Sequence, residues 1–219
     1  MDYKSLYEFR FKDVDQAKRV AVWKVLAPFI VSKSNGFERT LDPACGLGEF
    51  INSCGAEERW ACDLGIDSSD LNENITFFNK SFFDAELPSN YFDLIFLSNV
   101  LEHMNSQQEV NEFLKLAFEK LKENGTVIIM GPNFRYCFKE YFDFADHIVP
   151  LTHIAIQEHL IAAKFHIKSV FPKFIPYSFK SKLPANPVIT RVYLRLPILW
   201  KFFGKQFLVI ATKTTSALA

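Results

Sequence analysis

The chain has 219 residues, of which 49% are hydrophobic and 23% charged, and its formal net charge is zero. That composition excludes a disordered or low-complexity chain, and no apolar run reaches the length of about 20 residues that a membrane-spanning helix needs. The neutral total conceals a division: residues 1–158 hold all 25 acidic side chains, whereas residues 159–219 hold ten basic ones and no acidic one. One domain with a single sizeable core is expected over 1–219. The cysteines (Cys45, Cys54, Cys62, Cys137) form no C-x-x-C pair and no zinc-finger spacing, so they are read as buried free thiols, and no metal site is expected. The charged opening "MDYKSLYEFRFKD" does not resemble a secretory signal, which points to a cytoplasmic protein.

In chain order, residues 14–30 place Val14, Ala17, Val20, Ala21, Val25 and Ala27 near helical spacing, and Pro28 marks where a regular helix should fail. Residues 1–36 are therefore expected to form a helical N-terminal cap. "FERTLD" (37–42) suits a strand that runs into a small-residue turn, followed by a helix from Leu47–Glu49 that ends at Gly55. Residues 59–67 and 74–81 read as two further strands. The nearly continuous apolar run 91–98 reads as a parallel strand covered on both faces. Residues 107–122 form an amphipathic helix through Val110, Phe113, Leu114, Ala117, Phe118 and Leu121, and "TVIIM" (126–130) is another central strand. After an excursion over 133–152, Thr152 is placed to cap a helix running to about Phe165. Strands are expected at 166–171 and 206–213, separated by a basic, aromatic insertion at 172–205. Strands alternating with helices imply a doubly wound α/β sheet.

Ligands collect beyond the carboxyl ends of the strands in such a sheet. Gly46 and Gly48 allow the turn after the first strand to approach a ligand closely. Asp67, read as the end of the second strand, can accept hydrogen bonds from both hydroxyls of a ribose. A dinucleotide turn would need G-x-G-x-x-G, but here the third glycine is misplaced and Ala44 stands at the first position. Asp42, just before the turn, opposes a pyrophosphate and favours a cofactor with an ammonium group.

The motifs "LDPACGLGEF", "GIDSSD", "YFDLIFLSNVLEHM" and "LKENGTVIIMGPNFRY" occur in this order. Together they resemble the class I S-adenosylmethionine-dependent methyltransferases over about residues 37–170. The resemblance implies a three-layer, Rossmann-like, mostly parallel seven-stranded sheet with a closing antiparallel hairpin. It implies S-adenosyl-L-methionine as cofactor, with Asp42 on its methionine portion, Asp67 on its ribose and the segment Ser81–Asp84 beside its adenine. The cofactor-binding set is then Asp42, Ala44, Cys45, Gly46, Gly48, Phe50, Asp67, Ser68, Phe83, Asp84, Ser98 and Asn99. Structural readings stand beside these: Asp67 and Asp84 as caps of turns, Cys45 as a buried filler and His103 as a residue holding its local loop.

Methyl transfer to a hydroxyl benefits from positioning and from a general base, for which histidine is the usual residue near neutral pH. His147, flanked by Asp143 and Asp146, is the first choice for base or acceptor ligand, followed by His153 and His103. Asn133, Arg135 and Tyr136, after the fifth strand, complete a substrate-binding set with His147. The similarity of "PNFRY" and "DH…LTH" to small-molecule methyltransferases implies an acceptor such as a sugar, a nucleotide-sugar or a surface-glycan precursor. The basic 172–205 region suits an anionic or lipid-linked acceptor and peripheral contact with the inner face of a membrane; a homodimer is a separate expectation. No nucleic-acid partner is expected. Two alternatives remain: a noncatalytic cofactor-binding or protein-interaction relative, and a nucleotide-dependent oxidoreductase.

Overall fold

A computed structural model describes residues 3–12, 15–177 and 186–214. Two helices open the chain, α1 (Tyr3–Phe11) and α2 (Gln16–Val31). Asp15 caps α2 by accepting the Lys18 N–H at 3.1 Å, satisfying one of the donors every helix start leaves open. The expected failure at Pro28 does not occur, and α2 continues through it to Val31. A proline this close to a helix end removes only one intrahelical hydrogen bond, and Leu26, Ala27, Ile30 and Val31 bury the final turns.

Strand β1 (Arg39–Asp42) follows, then α3 (Glu49–Ser53), β2 (Glu58–Cys62) and β3 (Ile75–Phe78). The second strand stops at Cys62, five residues short of Asp67. The next side chain, Asp63, turns back and accepts the N–H of Gly65 at 2.8 Å, which bends the backbone out of strand geometry. Strand β4 (Phe92–Ser98) is apolar along most of its length, as a centrally placed strand requires. Helix α4 (Gln107–Lys120) buries the four residues Val110, Phe113, Leu114 and Ala117 and is capped by Ser106, which accepts the Glu109 N–H. The chain pairs again from Leu121, bends at Asn124 (φ 64°) and continues as β5 (Leu121–Pro132). The short α5 (Phe134–Cys137) lies in the expected excursion, and Thr152 caps α6 (His153–Ala162). Strand β6 (Phe165–Phe171), helices α7 (Pro187–Arg195) and α8 (Pro197–Phe203), and strand β7 (Gln206–Lys213) complete the chain. The 172–205 insertion thus contains two helices, while its 178–185 portion, Pro184 included, lies outside the described residues.

The seven strands form one sheet in the order β3-β2-β1-β4-β5-β7-β6. Strands β1 to β5 pair in parallel, and β7 runs antiparallel to both β5 and β6. One face packs against α4 and α6 through Phe113, Leu114, Ile156 and Leu160. The other packs against α2, α3, α7 and α8 through Ile30, Phe50, Tyr193 and Trp200. This is the expected three-layer arrangement with its antiparallel closure. All four cysteines are free and buried. Among the described residues, no helix is long and apolar enough to cross a membrane.

Candidate functional site

The turn beyond β1 is built on two left-handed glycines, Gly46 (φ 52°) and Gly48 (φ 73°). A side chain at either would strain the backbone. A Cβ built on Gly46 meets nothing within 4 Å, so the turn faces open space. Ala44 is not among the positive-φ residues; its position needs no glycine. The turn is pinned from below, because Gly46 donates its N–H to Asp63 Oδ2 at 2.8 Å and Cys45 donates its N–H to the Cys62 carbonyl at 3.0 Å. Asp63 therefore joins the ends of β1 and β2, and it follows directly on β2, whereas the sequence places Asp67 at that strand's end. Asp67 instead precedes the single turn Ser68–Asp70 and is exposed, as is Ser68.

Asp42 is 3% exposed, and its Oδ1 has no hydrogen-bond partner. Burial, and after it the charge of Asp63, hold its carboxyl well above the usual carboxylate range. Burial likewise raises Asp63. Glu49 is raised by burial against the opposing effect of Arg19, with which it forms an ion pair that ties α3 to α2. The base of the turn thus holds buried acidic groups and is short of positive charge at Asp42. Phe50, expected beside the cofactor, instead packs in the core, its ring centroid 4.0 Å from that of Phe96. Cys45 is buried beneath the turn. Ser98 and Asn99 lie at the carboxyl end of β4, Asn99 in the left-handed region (φ 51°) and donating from Nδ2 to Ser98 Oγ at 3.0 Å. Asn tolerates that conformation better than most residues. Phe83 and Asp84 are exposed beyond β3, with Asp84 accepting from Ser81 Oγ at 2.5 Å.

The excursion after β5 folds over the same edge of the sheet. Ile148 and Val149 donate their N–H groups to the Glu102 carbonyl at 2.9 and 3.1 Å, which brings His147 against the single turn Leu101–His103. The His103 and His147 rings meet edge to face at 4.9 Å. Of the two carboxylates flanking His147 in sequence, Asp143 and Asp146, the second pairs with Arg10, and its carbonyl lies 3.0 Å from His103 Nδ1; its charge still favours a protonated His147, against larger opposing effects. Burial, followed by the charge of His103, pushes His147 down to about 4, so its ring is neutral near pH 7. His153 stands apart: its Nδ1 faces Asn133 Nδ2 at 2.9 Å, and its ring stacks on Tyr136. Burial and then Arg135 lower it.

Asn133, expected to touch substrate, is fully buried. Its Nδ2 donates to the Pro172 carbonyl at 2.8 Å and its Oδ1 accepts the Arg135 N–H, so the side chain is an internal strut. Arg135 is exposed, Tyr136 is half-buried and Lys173 Nζ sits 4.6 Å over the Tyr136 ring, so that cations flank this end of β5.

Residues 16–163 match the family described as "Methyltransferase domain". The chain belongs to that family, the class I S-adenosylmethionine-dependent methyltransferases. The methyltransferase is similar in structure to a SAM-dependent methyltransferase from Archaeoglobus fulgidus, with TM-score 0.68, 22% identity and coverage of 97% of this chain and 100% of that one. It is also similar to the putative methyltransferase crystallised with the Haloferax volcanii Trm112 activator, at TM-score 0.67 and 13% identity over 95% and 97% of the two chains. A third similar structure is a geranyl diphosphate methyltransferase bound to its substrate GPP and sinefungin, at TM-score 0.62 and 10% identity over 86% and 77%. At these identities the likenesses establish the fold. No curated protein matches the sequence.

S-adenosylmethionine is the methyltransferase's cofactor, and the turn fits it. The enclosed Asp42 oxygen lacks a partner and Gly46 opens onto free space, as a cationic amino-acid group approaching the backbone requires. The placements of Asp63 and Glu102 are not evident from local sequence. Asp63 is the first acid after the apolar end of β2, where it accepts the Gly46 and Gly65 N–H groups. Glu102 lies near His147, which is 44 positions further along than His103.

Proposed function

We propose that this methyltransferase methylates a hydroxyl of a small anionic acceptor, a sugar, nucleotide-sugar or surface-glycan precursor. S-adenosylmethionine, when bound, supplies the methyl group on a sulfonium. In this reading Asp42 holds the ammonium of the methionine portion, and Asp63, rather than Asp67, takes the ribose hydroxyls. Phe83 and Asp84 flank the adenine, while Ser98 and Asn99 line the cofactor beside β4. His103 and His147 face the acceptor, and Arg135 and Lys173 hold its charge. The observation that carries the reading is a pair of imidazoles, the buried His147 against His103, on the carboxyl edge of the sheet that also bears the cofactor turn. A hydroxyl nucleophile needs such a group more than an amine does.

The α7–α8 surface supports an acceptor presented at a membrane. Val188, Val192, Ile198 and Phe202 are 63%, 50%, 55% and 75% exposed, interleaved with Arg191, Arg195 and Lys201. Apolar side chains among cations suit an anionic lipid surface.

The test is release of S-adenosylhomocysteine on incubation with nucleotide-sugars, lipid-linked sugars, amines, peptides and RNA. Turnover confined to a sugar class supports the proposal, and turnover confined to amines, peptides or RNA overturns it. Co-sedimentation with phosphatidylglycerol vesicles, lost in Phe202→Glu, checks the membrane surface. Equal partition of both proteins sinks that part of the reading.

A further inference from the structure

Beyond the carboxyl end of β4, the fold assembles a donor set from distant parts of the chain. Glu102 and His103 sit in the single turn that follows β4, and His147 is fastened to them through the backbone bonds to the Glu102 carbonyl. One ligand atom from each of Glu102, His103 and His147 lies within 4.8 Å of the other two. Glu102 is 2% exposed, and its Oε1 has no hydrogen-bond partner. Among the described residues no hydrogen bond joins it to either ring. Burying a carboxylate oxygen without a partner is costly, so a fold that keeps one has something to place against it.

The outer contacts point the same way. His103 Nδ1 lies 3.0 Å from the Asp146 carbonyl and 3.4 Å from Asp146 Oδ2, and Arg10 holds that carboxylate in turn. His147 Nδ1 lies 3.4 Å from Tyr177 Oη. Each ring thus has a polar contact at Nδ1, and a ring held so would offer Nε2 to a ligand. A metal-binding histidine is held in this way, with its second nitrogen engaged by a carboxylate, a carbonyl or another polar group.

We propose that Glu102, His103 and His147 bind one divalent transition-metal ion. Two imidazoles and one carboxylate suit zinc, manganese or iron(II) rather than calcium or magnesium, which prefer all-oxygen sites. Binding would require the side chains to rotate until the three donors, now within 4.8 Å of one another, reach bonds of about 2.0–2.2 Å. Three protein ligands leave coordination positions open, and the ion would sit beyond the carboxyl end of β4, the strand beside β1, whose own carboxyl end carries the cofactor turn. This deepens the proposed function, on which it rests for the acceptor: the ion, rather than a lone histidine, holds the hydroxyl. His103 and His147 then act as ligands.

The experiment strips the full-length protein with a chelator and titrates it calorimetrically with Zn²⁺ and with Mn²⁺, following Co²⁺ in parallel by its visible absorption. S-adenosylmethionine is titrated separately into each protein. The expected result is one equivalent of metal per chain, with the Co²⁺ spectrum of mixed nitrogen and oxygen coordination. Glu102→Gln and His147→Ala should each weaken binding by at least about 10–100-fold, whereas His166→Ala, an exposed histidine on β6, should leave it unchanged. Glu102→Gln preserves volume and removes a buried charge, so it remains folded and informative if His147→Ala does not. Binding that ignores both Glu102→Gln and His147→Ala, or no stoichiometric binding, overturns the inference. Retained S-adenosylmethionine binding beside either result leaves the methyltransferase reading standing; that reading fails separately if the cofactor does not bind the wild-type protein.

Discussion

At the residue scale, Asp42 combines a buried carboxyl with an oxygen that nothing in the protein satisfies. Hydrogen bonds to charged groups contribute about 1.5–3 kcal/mol, so Asp42→Asn should weaken S-adenosylmethionine by about 10–100-fold in calorimetry. The same change should stabilise the cofactor-free protein near neutral pH. Asp42 has its carboxyl raised on folding, so the folded state keeps a proton that the unfolded state has already lost. Its contribution is therefore fully present below the unfolded value and is lost as pH rises through the folded one. The stability advantage of Asp42→Asn should accordingly shrink as pH falls, in urea titrations across pH; an advantage that grows toward acid would contradict this assignment. Asp63→Ala should lose the turn and most cofactor affinity, while Asp67→Ala should keep affinity within about threefold, less than 1 kcal/mol. The reverse order would return the ribose to Asp67. The first glycine-like position carries no such weight, because Ala44 lies outside the left-handed region, and Ala44→Gly should leave cofactor affinity unchanged.

At the scale of elements, the buried Arg19–Glu49 pair fastens α2 to the start of α3, with side chains 11% and 7% exposed. Removing one partner strands the other charge, at a cost of about 3–5 kcal/mol, whereas replacing both with apolar residues can be neutral. Arg19→Met should therefore lower stability sharply in chemical denaturation, and Arg19→Met with Glu49→Leu should recover most of it. Additive losses would show that the pair acts independently of its burial. Most elements were readable because their apolar spacing faces one layer, as in α4 and in β7, whose expected and observed bounds agree at Gln206–Lys213. The boundary of β2 was not readable, because Asp63 ends the strand through a hydrogen bond to Gly65 that apolar patterning does not encode. The continuation of α2 past Pro28 was hidden for a related reason, since buried packing on the final turns outweighs one missing hydrogen bond.

At the scale of the whole molecule, the last strand is inserted between β5 and β6 rather than added at the rim. Every residue of β7 is buried, so truncation before Gln206 should abolish cooperative folding, as read by circular dichroism and thermal melting. A cooperative melt in that truncated chain would mean the parallel half folds alone. Cofactor binding should stabilise the intact chain by mass action, about 2.7 kcal/mol at a hundred times Kd, visible as a concentration-dependent Tm.

The sequence by itself determined the parallel sheet and the glycine turn with Asp42, because these depend on local spacing: apolar periodicity, left-handed positions and an acid at a strand end; the family entered through the resemblance of four motifs in order. Only the tertiary structure decided that Asp63 braces the turn, that Asn133 is an internal strut and that Glu102, His103 and His147 lie together. Those assignments depend on which distant backbone groups meet, and hydrogen bonds such as those from Ile148 and Val149 to Glu102 exist only once the excursion has folded back over β4.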